Sequence, residues 1–220
     1  MKKIMMIAAM MVATLGAVAQ NEVGQLTLQP KVGMNISKIT GSNLNSKVGL
    51  VAGFEAEYGV AKNFGVSVAA LYSMQGAKRD LNLNVSGNSV DVKFNLDYIN
   101  IPVLAQYYIV PGLAVKAGIQ FGFNVRNKVK VGTTVAGYNL KDDCSMDEFL
   151  DVARALGEQI PSDAKFQKFD LSIPVGLSYE YEDFVLDARY NIGTSKLVKS
   201  DPDSSKNGVF QLTIGYKFEL

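Results

Sequence analysis

Phe210-Gln-Leu-Thr-Ile-Gly-Tyr-Lys-Phe-Glu-Leu220 alternates from its first residue to its last. Phe210, Leu212, Ile214, Tyr216, Phe218 and Leu220 fall on one face, and Gln211, Thr213, Gly215, Lys217 and Glu219 on the other. A period of two belongs to a β-strand, whose successive side chains point to opposite faces, so this segment predicts a strand with one apolar and one polar side. Residues 26–37 repeat it, with Leu26, Leu28, Val32, Met34 and Ile36 against Thr27, Gln29, Lys31, Gly33, Asn35 and Ser37. Pro30 breaks the apolar set and has no N–H to give a ladder bond.

Six further segments, at about residues 46–58, 64–75, 90–109, 113–126, 168–181 and 184–193, bring the expected strands to about eight. In 113–126 the pattern is Leu113, Val115, Ala117, Ile119, Phe121, Phe123 and Val125 against Lys116, Gly118, Gln120, Gly122, Asn124 and Arg126. In 90–109 the phase shifts near Asp97 and Tyr98, which predicts a β-bulge. Short connections at about 59–63, 110–112 and 182–183 alternate with long ones at about 38–45, 76–89, 127–167 and 194–208. Tight turns at one end and long loops at the other are the rhythm of an outer-membrane barrel. The expected fold is therefore all-β, an up-and-down antiparallel transmembrane β-barrel. A short helix is expected at 146–158 in the third long loop. There Ser145 and Glu148 have capping-box spacing, and Met146, Phe149, Leu150, Ala153 and Leu156 recur at helical intervals. Its apolar stripe either packs on neighbouring loops or docks a partner.

Alternation alone leaves two readings, because a soluble ligand-binding barrel puts its apolar face inside. The polar face decides for lipid outside. It carries Gly33, Gly49, Gly53, Gly65, Gly118, Gly122, Gly176 and Gly215. Glycine weakens a solvent-facing strand but makes room inside a narrow barrel. It also carries Lys31, Lys47, Glu55, Glu57, Lys116, Arg126, Asp170, Glu180, Asp187, Arg189, Lys217 and Glu219, six of each sign. An enclosed lumen needs such a balance, since an unpaired buried ion costs several kcal/mol. The apolar face holds Phe54, Tyr58, Phe64, Tyr72, Tyr107, Tyr179, Tyr181, Phe184, Tyr190, Tyr216 and Phe218, many near strand ends, as aromatic girdles do. An eight-strand interior is just wide enough for side chains. A filled lumen without an open diffusion pore is expected.

The 220-residue chain contains no histidine, which removes Ser-His-Asp triads, Cys-His pairs and histidine metal sites together. A non-enzymatic protein is expected, with no catalytic, cofactor-binding or metal residues and no cofactor. Two carboxylate clusters remain as candidates: Asp201, Asp203 and Ser204 as a calcium loop, more simply a solvated turn, and Asp187 with Glu180 as an acid–base pair. Cys144 is the one cysteine, so no intramolecular disulfide can form. It reads as an incidental loop thiol or a reactive one.

Met1-Lys2-Lys3 followed by the apolar run Ile4 to Val18 and the small residues Ala17-Val18-Ala19 reads as a signal peptide over 1–19. Residues 20–220 are then one outer-membrane β-barrel domain. Removing Lys2 and Lys3 from the 22 basic residues leaves 20 against 21 acidic, a near-neutral balance that argues against nucleic acid as partner.

Four stretches resemble the PorT-like outer-membrane β-barrel proteins of Bacteroides-type bacteria. They are Lys31-Val-Gly-Met-Asn-Ile-Ser, Tyr98-Ile-Asn-Ile-Pro-Val-Leu, Asp187-Ala-Arg-Tyr-Asn-Ile-Gly and Gly215-Tyr-Lys-Phe. The resemblance spans most of the mature chain. It implies a compact barrel in the outer membrane and, for the family's namesake, a part in secretion of surface proteins. One departure is the end of the chain, where Glu219 and Leu220 follow Phe218 in place of a final aromatic residue. The expected partners are the outer-membrane bilayer and an envelope protein reached through the 127–167 loop, with the barrel a monomer. The alternative is a carrier of a small apolar ligand, either soluble in the periplasm or set in the membrane.

Overall fold

The computed structural model describes residues 23–40, 45–81, 89–135, 138–145, 147–148, 151, 167–197 and 205–220. The expected signal peptide and the Asp201, Asp203 and Ser204 cluster lie outside them. Among the described residues ten strands follow in chain order: β1 (Leu26–Thr40), β2 (Asn45–Ala61), β3 (Phe64–Leu81), β4 (Ser89–Val110), β5 (Leu113–Val135), β6 (Tyr138–Ser145), β7 (Phe169–Tyr181), β8 (Phe184–Lys196), β9 (Lys206–Tyr216) and β10 (Phe218–Glu219). Each pairs antiparallel with its neighbour in the order β1-β2-β3-β4-β5-β7-β8-β9, and β9 returns to β1. The result is a closed eight-strand barrel with β6 outside the ring.

The closing seam runs from Lys31 opposite Gly215 to Thr40 opposite Lys206. β10 resumes it at Leu28 opposite Phe218. Gln29 and Pro30 face the gap, where proline has no N–H to offer.

Two-residue connections close three hairpins at one end of the barrel: Lys62-Asn63, Pro111-Gly112 and Glu182-Asp183. Proline followed by a glycine at φ 79° gives the second the signature of a type II turn. Glu182 reaches φ 53° without being a glycine. All these connections are the short ones expected, at the end that faces the periplasm in outer-membrane barrels.

The orientation of the faces is as the sequence predicts. Phe121, Ile214 and Phe218 are exposed on the outer wall, whereas Lys116, Arg189 and Lys217 are buried inside. The outward apolar residues form a continuous belt that includes Val68, Val103 and Ile119 in register across β3, β4 and β5.

Two expectations need correction. Arg126 does not face the lumen; it is exposed on the outer wall. Pairing slips between Asp97 opposite Arg126 and Tyr98 opposite Asn124, so a bulge lies at this level, but not in 90–109 where the sequence predicts it. Its extra residue, Val125, belongs to β5, and it turns every later side chain of β5 to the other face. Within β4 itself Leu96, Tyr98 and Asn100 all stay buried, so the apparent phase change there is a change of surroundings. Glu219 is exposed as well, on the short β10 at the rim.

Second, the 127–167 stretch is not loop at its start. β5 continues to Val135 and forms a hairpin with β6, from Lys128 opposite Ser145 to Val135 opposite Tyr138. The helix expected at 146–158 lies mostly outside the described residues, of which Asp147, Glu148 and Asp151 are helical. The predicted cap is formed: the Glu148 amide donates to Ser145 Oγ at 3.2 Å, and the Ser145 amide donates to Glu148 Oε2 at 2.8 Å.

Candidate functional site: the ion-filled lumen and the extracellular sheet

Among the described residues, two ion clusters occupy the barrel interior. In the first, Arg189 on β8 donates from Nε to Asp187 Oδ1 at 2.7 Å and from Nη2 to Asp187 Oδ2 at 2.9 Å. The same Nη2 reaches Glu55 Oε2, on β2, at 3.2 Å. Lys31 of β1 lies 2.8 Å from Glu55 and 3.9 Å from Asp187. Lys116 of β5 joins them from the other side, 3.3 Å from Glu55 and 3.1 Å from Asp187. Three cations and two carboxylates from four strands thus meet with almost no solvent exposure.

The second cluster lies nearer the periplasmic turns. Lys217 donates to Glu180 at 2.6 Å and lies 3.3 Å from Glu57. The Tyr108 hydroxyl donates to Glu57 at 2.7 Å. The first cluster has three cations and two carboxylates, the second one cation and two carboxylates, so together they are neutral. A buried charge is tolerable only when paired and hydrogen-bonded, and this arrangement achieves that across both clusters.

Glycine makes the space for these long cations. In the pairing, Gly176 of β7 stands between Lys116 of β5 and Arg189 of β8. Gly53 and Gly215 flank Lys31 in the same way. A Cβ at Gly176 would come 2.6 Å from Arg189 Cβ.

Most sequence-predicted lumenal residues are therefore gathered here. Asp170 is buried apart from both clusters, where Ser195 donates to it at 2.8 Å. Lys47 donates to the Gln75 carbonyl at 2.8 Å. Asp187 and Glu180, the candidate acid–base pair, fall in separate clusters, each held by cations. Among the described residues no group of three His, Cys, Asp or Glu side chains could hold a metal ion. Gln106, Asn191 and Gln211 project amides into the lumen with no protein partner for either polar atom, which makes the interior polar enough to hold water.

Above the ions the polarity of the interior reverses. Ile39, Ala77, Leu96, Tyr98, Val129 and Leu197 form an apolar cluster, with Phe94 and Cys144 packed against it. The period-two pattern misses this plug because it assigns one polar inner face to the full length of each strand. Cys144 is half-buried on β6. Beyond the plug, β3, β4, β5 and β6 run on as a four-stranded sheet, paired as far as Leu81 with Val90 and Ser89 with Thr134.

A ring of eight antiparallel strands with an apolar exterior, aromatic rims and a charged, filled interior is a membrane barrel. The family model described as outer membrane protein beta-barrel domain matches residues 18–199. The chain belongs to that family. Outer membrane protein beta-barrel domains sit in the outer membrane, and the belt described above is the surface that meets its lipid. No curated protein matches the sequence. Among solved structures the chain is similar to Ail, the attachment invasion locus protein of Yersinia pestis, at 16% identity and TM-score 0.44, with 90% of this chain and 100% of that one covered. It is similar to Neisserial surface protein A at 12% identity and TM-score 0.47, covering 88% and 97%. For the N-terminal barrel of Pseudomonas aeruginosa OprF the figures are 11%, 0.36, 89% and 98%.

Proposed function

We propose that this outer-membrane barrel is a non-enzymatic, monomeric scaffold that binds another envelope protein through its extracellular sheet and the 127–167 segment. The supporting observation is that β3, β4, β5 and β6 continue past the ring of the barrel, and that β6 pairs with β5 alone among the described strands. A strand paired on one edge offers backbone groups that an extended partner segment can complete. Function on outer segments held by a rigid scaffold is the common arrangement. The resemblance to PorT-like barrels makes a component of surface-protein secretion the first partner to test. Replacing 138–166 with a short Gly-Ser linker should leave heat-modifiable folding intact and abolish cross-linking to the partner in whole cells. An unchanged set of cross-linked proteins would remove the proposal.

One observation favours the second reading, a membrane-set carrier of a small apolar ligand. An open groove of about 570 Å³ lies on the lipid side of the seam, with Pro30 and Ala52 among its lining and Phe54, Phe184, Ile214 and Tyr216 around them. Filling it with Ala52→Phe should cut uptake of an apolar dye by whole cells if this reading holds. Unaltered uptake would count against it.

A further inference from the structure

The outer wall turns basic at the point where it leaves the apolar belt. On β5 the outward residues run Phe121, Phe123 and Val125, then, past the bulge, Arg126, Lys128 and Lys130. The pairing sets Lys130 opposite Lys93 and Lys93 opposite Lys78, three lysines in one row across β5, β4 and β3. Their chain neighbours Ala77 and Val129 are buried in the mouth plug, so the row lies on the outer face. Like charges directly opposite on neighbouring strands destabilise a sheet. Here the arrangement occurs at two successive pairs. Asp97 lies 3.7 Å from Arg126.

The opposite rim has the other sign, with Lys62 exposed beside exposed Glu182, Asp183 and Glu219 among the described residues. The basic patch is thus a feature of one end, the end that faces outward.

We infer that Lys78, Lys93, Lys128 and Lys130, with Arg126, form a docking surface for the phosphate groups of a phosphorylated glycolipid in the outer leaflet. Several cations within one strand spacing of each other, about 5 Å, suit a phosphate that accepts charge-assisted hydrogen bonds from more than one donor. The source is lipid because the patch is continuous with the belt: Phe121, Phe123 and Ile99 lie below it to take acyl chains. Tyr72, whose hydroxyl donates to Asp97 at 2.8 Å, marks the boundary as interfacial tyrosines do.

The test uses full-length protein purified from outer membranes in mild detergent, with retained glycolipid counted by native mass spectrometry. It is then titrated into phosphatidylcholine vesicles doped with bisphosphorylated lipid A or with the dephosphorylated form. The wild type should retain the glycolipid and prefer the phosphorylated vesicles, less so as salt rises. Lys93→Gln/Lys128→Gln/Lys130→Gln should lose at least about tenfold of that preference, and Lys62→Gln none. Because the variant relieves repulsion, its heat-modifiable folding should match the wild type. Should it fail to fold, Lys93→Gln alone, which touches both like-charge pairs, is measured instead and should show a smaller loss. Equal retention by the variants, equal binding of the dephosphorylated lipid, or capture of soluble heparin in place of lipid A would overturn the inference.

Discussion

Arg189 and Glu55 meet at 3.2 Å across the lumen although 134 residues separate them in the chain. They stand on β8 and β2, strands brought near each other by the closing seam between β9 and β1. Together with the neighbouring cluster their group is neutral, so removing either partner leaves one buried charge unpaired. Glu55→Gln and Arg189→Gln should each cost about 3–5 kcal/mol. The double variant, neutral again, should cost less than the sum of the two. Urea unfolding in lipid vesicles, followed by the heat-modifiable gel shift, measures all three. Strictly additive losses would show that the charge balance does not control this cluster.

Gly176 stands between Lys116 and Arg189, where an added Cβ would meet Arg189 Cβ at 2.6 Å and crowd the Ala188 carbonyl oxygen. Gly176→Ala should destabilise the barrel by about 1–3 kcal/mol through overpacking. Gly176→Ala/Arg189→Ala should lose about the sum of its parts, because the backbone and Cβ atoms that the new methyl group meets are all kept in alanine. A loss well below the sum in the same unfolding assay would place the strain in the long side chain instead.

The ring and its orientation are legible in the amino-acid sequence. The period-two pattern in Phe210–Leu220 and residues 26–37 marks the two strands that close the barrel, and the glycine-and-ion face marks the lumen. Two features are hidden for physical reasons. Val125 is a single extra residue on β5, and after it Lys128 and Lys130 point outward while Val129 points inward. The alternation continues in inverted phase, so the extension looks like a charged loop. The reversal around Leu96 and Tyr98 likewise reflects departure from the bilayer, where the inside becomes the dry side. Which cation meets which carboxylate depends on the stagger of a closed barrel. No local pattern contains that information.

The outer wall offers a depth-dependent test. Val103 lies mid-belt, in register with Val68 and Ile119, and Tyr107 lies further along β4, nearer the periplasmic turn. Val103→Lys should cost about 2–4 kcal/mol and Tyr107→Lys about 0–1, since a charge is worst at the bilayer midplane. Refolding midpoints in vesicles would show it. A reversed order would mean the belt is placed wrongly along the strands.

The Ser145–Glu148 cap gives a pH prediction outside the membrane. The Ser145 amide and hydroxyl hold the Glu148 carboxyl below the usual carboxylate range. A depressed folded-state value means the cap is complete at neutral pH and lost as pH falls through that lower value. The carboxyl carbon shift of Glu148, followed by NMR in nanodiscs, should titrate lower than a free glutamate, and Ser145→Ala should move it back up. An unshifted titration in the wild type would mean that the cap does not persist in solution.

Permeation tests the lumen as a whole. Ions entering from outside would first meet the apolar plug of Ile39, Leu96, Tyr98, Val129 and Leu197, then the cluster of Lys31, Glu55, Lys116, Asp187 and Arg189. Crossing the first requires a bare or half-hydrated ion in an apolar constriction, and crossing the second requires breaking ion pairs that have almost no solvent contact. Either barrier alone should suppress steady current, so the wild type reconstituted in planar bilayers should be silent. Opening one barrier should not suffice: Leu96→Ser should remain silent, and so should Arg189→Ser. Only the double variant should conduct, and steady channels in the wild type would refute the account of a lumen closed twice.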